Sequence, residues 1–415
     1  MAAATPAQQH LFATDLRAAL HKSGEATTTK YTREMDSHFG HWVEFCQELN
    51  QAPSLSDVPS GEDRLAYLLV FGYRYRQRGR SNRPVRADQV DKALLAVGKG
   101  LVNLDQPDPR LQRNSTKLHP LLSDFLRALR NEDDPQTRAY PANITILRAI
   151  PDALDFSHKE EGVLNQHVFD LIVVTFYWLL RPAEYLETEG TGRSQAFLLR
   201  NISLTIDGTN YPAPDAPLND ARSISRIECA SLTFADQKNA VKGETVGHVA
   251  TSDPMLCPAK ALGRIARRLQ LWRAQPDTPI HRHYNAHPKH KRWYSIQSKF
   301  VTNALRWAAR LMQPSTGIPL DYLSARSLRP GGATALLCAG VDKDVIQLLG
   351  RWKSDAMFRY LRIQAHTHTS RLSQRMLDHG AYTFAPQACA RGDLPQQAPP
   401  AMMAAVLGHP ELYAN

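Results

Sequence analysis

The sequence predicts a mainly α-helical protein with a small antiparallel β-sheet, arranged as a helical N-terminal unit and a larger mixed unit. Three observations predict it. Apolar residues recur at three- and four-residue spacing over 31–49, 63–77, 88–104 and 118–129, the period that gathers them on one helix face. Strand-like segments occur only in mid-chain, at 197–206 and 227–251, with turn pairs Asp207-Gly208 and Lys242-Gly243. Between these regimes lies 131–141, which is acidic, polar and contains Pro135 and Pro141, as suits an exposed linker. At 415 residues the chain exceeds one ordinary core and fits two or three domains.

The elements follow in order. Thr27-Thr28-Thr29 and Ser60 are expected N-caps of the first two helices, while Pro84, Pro107 and Pro109 interrupt the pattern between later ones. The second unit begins with helices over 144–154 and 163–180, passes through the strand block, and is helical again from Pro258. Near the end three helices follow in close succession. Pro330 suits a first turn, Gly340 and Gly350 suit the left-handed position after a helix, and Ser354 suits a cap. The expected division is a tail over 1–26, a helical unit over 27–138, a larger unit over 139–385 and a tail over 386–415.

Composition narrows the function. The longest apolar run, 169–180, is interrupted by Asp170 and is shorter than the roughly 20 residues a bilayer requires. The N-terminus has neither the basic flank nor the apolar stretch of a secretory signal. Five dispersed cysteines without a Cys-x-x-Cys pair read as reduced thiols, so an intracellular protein is expected. The formal net charge is +10, and 254–310 carries twelve Lys or Arg against one acid, Asp277, leaving −1 for the remainder. A second basic run, 73–86, holds six arginines, two tyrosines and no acid. Such surfaces track phosphates, so a nucleic acid is the expected partner. The candidate contacts are Arg74, Arg76, Arg78, Arg80, Arg83 and Arg86 in the second run, and Lys289, Lys291 and Arg292 in the first. His281, His283, His287 and His290 fall among cations that would repel a metal ion. That segment reads as a DNA-facing loop, and no cofactor or metal is expected.

The most informative segments are Arg326-Ser327-Leu328-Arg329-Pro330-Gly331-Gly332, then Gly350-Arg351-Trp352-Lys353-Ser354, then Tyr360. Upstream lie Trp178-Leu179-Leu180-Arg181-Pro182-Ala183-Glu184-Tyr185-Leu186 and the turn bearing Lys238. This order resembles the tyrosine recombinases, the phage-integrase family, whose signature runs from an Arg-x-x-Glu box through a hairpin lysine, His-x-x-Arg and Gly-His or Gly-Trp to a tyrosine. The Gly-Arg-Trp-Lys-Ser variant looks most like recombinases of eukaryotic mobile elements of the crypton kind, which tilts the expected compartment to the nucleus. The resemblance covers 176–187 and 323–363 well and Lys238 moderately. It implies a helical core-binding (SAM-like) N-terminal domain, an integrase-like catalytic domain, double-stranded DNA as the partner and a tetrameric synapse on it.

It also implies roles. Tyr360 would be the nucleophile of a 3′-phosphotyrosyl intermediate, which preserves the phosphate bond energy without metal or nucleotide. Arg181 and Arg329 would bind the non-bridging oxygens through planar guanidinium forks, with Glu184 supporting Arg181. Lys238, with Lys242 as alternative, would protonate the leaving oxygen. Two departures stand out. Arg326 occupies the place of the family histidine and cannot accept a proton, although the related type IB topoisomerases tolerate lysine there. Nine residues before Tyr360 is Arg351, whereas the indole donor the chemistry favours is Trp352, so both remain candidates. The expected activity is site-specific strand cleavage and rejoining. The alternatives are a recombinase-derived protein that binds DNA without cleaving it and a relaxing enzyme of the type IB kind.

Overall fold

Ser60 opens the second helix as expected, its hydroxyl accepting from the Glu62 and Asp63 N–H groups, and similar local chemistry sets out much of the first unit. The computed structural model describes residues 29–79, 82–134, 139–157, 161–187, 196–235, 243–286, 291–312 and 318–352, with 12, 14–18 and 22 near the N-terminus. Helices α1 (Thr29–Glu48), α2 (Gly61–Arg78), α3 (Ala87–Asn103) and α4 (Pro120–Glu132) match the four apolar periodicities closely. Their core gathers Trp42, Phe71, Tyr75, Leu94 and Leu126. The N-terminus of α3 is capped from a distance, because the Asp133 carboxylate accepts the Ala87 N–H at 3.0 Å. Asp133 is therefore partly enclosed within this unit, while its neighbours Asn131, Glu132 and Asp134 are exposed, as expected of the acidic stretch. Burial alone would raise its pKa, but hydrogen bonds from Arg76 and Ala87 outweigh that and hold it below the usual carboxylate value.

A separate core serves the second unit. Helix α5 (Ile144–Ala153), capped by Asn143, packs against a later helix, while α6 (Glu161–Trp178) is buried almost along its length. A helix apolar all round must be surrounded, and α6 is flanked by α8 (Pro258–Leu271), α9 (Ser298–Leu311) and α10 (Leu328–Cys338), with the one-turn α7 (Pro182–Tyr185) after it. Asp170, the acid inside the apolar run, is the counter-ion of Arg264 and Arg268, which both donate to it. A buried carboxylate needs such partners.

Four strands, β1 (Ile202–Ile206), β2 (Thr209–Pro212), β3 (Ile227–Phe234) and β4 (Glu244–Val249), form an antiparallel sheet in the order β2-β1-β3-β4. Asp207 and Gly208 both take positive φ between β1 and β2, the conformation of a tight hairpin turn. The stretch before Ile202 is a 3-10 turn at Leu199–Asn201 rather than strand. The segment expected to be a loop around 281–294 is instead a hairpin, β5 (Arg282–Asn285) with β6 (Arg292–Ser295). Strands of four residues with few β-branched side chains give too short an alternation to be seen in the sequence. His283 turns inward against Trp272 and Tyr294, and His281 is buried as well, so neither faces a polyanion.

Helix α10 starts at Leu328 and carries Pro330 in its first turn, as expected, since proline there forfeits no helical hydrogen bond. One local detail differs from expectation. Gly340 has the expected φ of +79°, but after α11 (Lys343–Gly350) the left-handed residue is Arg351, at φ +56°. Gly350 is required for space instead, since a Cβ there would meet the Trp352 ring at 1.5 Å.

Candidate active site

The two arginines of the outer boxes meet through the segment between them. Helix α6 ends at Trp178, and Leu179 takes a left-handed φ of +51°, which turns the chain sharply into Arg181. Arg181 precedes α7 and donates its backbone N–H to Glu184 Oε2 at 2.7 Å and a guanidinium N–H to Oε1 at 2.9 Å. Glu184 is buried and also accepts from Arg351 at 3.4 Å. Arg351 donates further to the carbonyls of Trp178, Leu179 and Leu349 at 3.1, 3.2 and 2.8 Å, and its guanidinium lies 3.9 Å from the centre of the Phe234 ring. Burial depresses its pKa to about 10, with the Glu184 charge acting in the opposite direction. At neutral pH it remains a cation.

Arg329 approaches the same segment from the other side. It lies in the first turn of α10, donates to the Gly350 carbonyl, and stacks 4.3 Å from the Trp352 ring centre. Its helix comes close because of two glycines. A Cβ on Gly331 would meet the Ala142 carbonyl oxygen at 2.1 Å, and one on Gly332 the Phe176 carbonyl oxygen at 2.1 Å. Trp352 is itself buried against Leu179, Ala333 and Ile346. Gly350, Arg351 and Trp352 thus connect Arg329 with the Arg181–Glu184 pair, which lies far from it in sequence.

The β3–β4 hairpin springs from this cluster. Phe234 ends β3 beneath Arg351, and the Trp178 indole N–H donates to the Val246 carbonyl on β4 at 2.8 Å. His248 on β4 packs edge-on to Trp178 at 4.5 Å, its pKa lowered by burial. Lys238 and Lys242 lie outside the described residues, as do Tyr360, Arg80 and Lys289. Arg326 sits in the 3-10 turn Ala325–Ser327 with its side chain exposed, three residues from buried Arg329.

The basic surfaces divide in the same way. Arg74, Arg78, Arg83 and Arg86 are exposed, as are Lys291 and Arg292 on β6. Arg74 pairs with Glu48 at 3.2 Å. Arg76 is mostly enclosed and bonded to Asp133 and the Val85 carbonyl, so it stabilises the first unit rather than its surface charge. Arg264 and Arg268 are likewise consumed by Asp170. Sequence reasoning missed the link between Arg351 and Glu184. No local signal carries it, because they are 167 residues apart.

Among the described residues no helix is long and apolar enough to cross a membrane, and no group of three or more His, Cys, Asp or Glu is placed to hold a metal ion. No protein-family model matches the chain, and no curated protein matches it. Among solved structures it is similar to the integrase of the Tn1549 transposon in complex with transposon right-end DNA, with 13% identity over 76% of this chain and 85% of that one and a TM-score of 0.40. It is also similar to the XerA recombinase, with 12% identity over 88% of this chain and 97% of that one and a TM-score of 0.32. These are distant likenesses of shape.

Proposed function

We propose that the protein cleaves and rejoins DNA strands at specific sites through a 3′-phosphotyrosyl intermediate. The observation that carries this reading is that the Gly350-Arg351-Trp352 segment meets Arg329 directly and Arg181 through Glu184. Two guanidinium groups suit the charge that accumulates on the non-bridging oxygens of a phosphate under attack. Trp352, fixed against Arg329, is the better candidate of the two neighbours for a role at the phosphate, since both terminal nitrogens of buried Arg351 already donate to Glu184 and to carbonyls. Tyr360 would attack phosphorus, its phenolic proton passing to water as the Tyr O–P bond forms, and the P–O5′ bond would break with the 5′-oxygen taking a proton from Lys238 or Lys242. Exposed Arg326 would stabilise charge and could not serve as base. The unit over 27–138 would close on duplex DNA opposite the unit over 139–385, with Arg74, Arg78, Arg83, Arg86, Lys291 and Arg292 meeting phosphates. A tetramer on two sites, a nuclear location and an origin in a mobile element belong to the same proposal.

Covalent trapping tests it. The full-length chain is incubated with a randomised pool of nicked duplexes and boiled in detergent, and DNA-linked protein is sought with and without Tyr360→Phe. A Tyr360-dependent adduct is expected. Tight, steeply salt-dependent binding without any adduct favours the second reading, a DNA-binding protein that no longer cleaves, for which Arg326 in place of the family histidine is the specific motive.

A further inference from the structure

We infer that Arg351 is a positioning residue that keeps the Arg181 guanidinium available to an oxyanion by sharing the charge of Glu184. The inference rests on the proposed role of Arg181 as a phosphate ligand and adds a residue that does not itself meet the phosphate. Glu184 and Arg351 have side chains 3% and 1% exposed, whereas Arg181 is 23% exposed. A lone buried carboxylate facing Arg181 would form a neutral, closed pair with little attraction for a second anion. Arg351 adds one positive charge to that pair, so the triad carries a net charge of +1 and Arg181 is its member that reaches solvent. In an enclosed site such a charge is weakly screened.

The contacts divide the carboxylate accordingly. Oε1 takes one guanidinium N–H of Arg181, while Oε2 is shared between the Arg181 backbone N–H and Arg351. Arg351 is held in place by the carbonyls of Trp178, Leu179 and Leu349 and by the face of Phe234. Lysine offers one ammonium and could not span these acceptors. Among the described residues, Arg181, which repels it, and Glu244 at the base of β4 also act on Arg351. Glu244 is partly solvent-accessible, so water screens it far more than Glu184.

The test reads the protection of Arg181 by inorganic phosphate. The full chain is treated with phenylglyoxal across a phosphate titration, and modification of the Arg181 peptide is followed by mass spectrometry. Phosphate is expected to protect Arg181, and Arg351→Met to weaken that protection ten-fold or more. Glu184→Gln combined with Arg351→Met restores the net charge and is expected to recover protection to within about three-fold of the unaltered chain. A residue that only fastened carbonyls predicts the opposite, a double variant no better than the single one, and that result overturns the inference. Glu244→Gln should change protection less than two-fold; a larger change places the charge balance elsewhere and also overturns it. If Arg351→Met fails to fold, Glu184→Gln alone carries the test: protection should tighten about three-fold or more, and unchanged or weaker protection refutes charge sharing. Charge-dependent protection without a Tyr360-dependent adduct would refute strand cleavage while leaving the anion site in place.

Discussion

The protein contains two concentrations of arginine that behave in opposite ways. The run over 74–86 is contiguous in sequence and mostly exposed in space, and its charges are moderated by Glu48 and Asp133 at the surface of the helical unit. The other cluster, Arg181, Arg329 and Arg351, is scattered through the chain and mostly buried, with each guanidinium fixed by carbonyls, a carboxylate or an aromatic face. The first is free to adapt to a partner. The second holds a fixed geometry, which the proposed chemistry on one phosphate would need. The contrast shows that arginine density in a sequence locates exposed charge, whereas a fixed arrangement of guanidinium groups depends on which charges are enclosed together.

The largest expected effect lies in the buried charges of the second unit. Asp170→Ala strips Arg268 of its enclosed partner and should lower stability by about 3–5 kcal/mol in urea unfolding. Asp133→Ala, a less deeply enclosed pair in the first unit, should cost clearly less; equal losses would erase the distinction between the units.

Acid should separate the units next. His283 and His281 have pKa values pushed down to about 4 by burial, and His167 is lowered well below 6.5, by burial and then by Arg268. His167 donates from Nε2 to the Ile280 carbonyl at 2.8 Å, which leaves its Nδ1 to accept from His283 at 3.4 Å. The unfolded chain binds these protons first, so their contribution to stability is complete above about pH 6.5 and is lost as pH falls towards 4. The loss should be on the order of a few kcal/mol. Asp133 is also shifted downward, but from the lower carboxylate value, so its contribution persists until pH falls below about 3.8 and is lost only beneath that. Hydrogen exchange followed segment by segment between pH 7 and 4 should show residues 139–352 weakening before residues 29–134; simultaneous weakening would contradict this assignment.

Smaller effects follow. Gly332→Ala should cost about 1–3 kcal/mol, because its Cβ would be forced against the Phe176 carbonyl. Gly40→Ala in α1 meets nothing within 4 Å and should stabilise by roughly 0.5–1 kcal/mol. Both are read from thermal or urea unfolding. Arg74→Ala, at an exposed pair, should change stability by less than about 0.5 kcal/mol while lowering the slope of log affinity for DNA against log salt by about 0.9. A large loss of stability with an unchanged slope would make Arg74 structural.

Much of the fold was readable because it is written locally. The four helices of the first unit follow from their apolar spacing, Ser60 from capping, and Asp207-Gly208 from the positive φ a hairpin turn needs. The order of Arg181, Arg329, Gly350 and Trp352 was likewise readable as a motif. The β5–β6 hairpin was not, since four-residue strands rich in His and Arg resemble a loop in one dimension. Whether a given cation serves as surface or interior was equally hidden. Arg76 and Arg78 stand two residues apart on α2, yet one is enclosed by Asp133 and the other faces water. Arg351 and Trp352 presented themselves as interchangeable candidates until folding placed one on Glu184 and the other on Arg329. Backbone preference and apolar periodicity act over a few residues and are fixed by the chain itself. The partner of a buried charge is chosen by desolvation, which exists only once distant segments have closed around it.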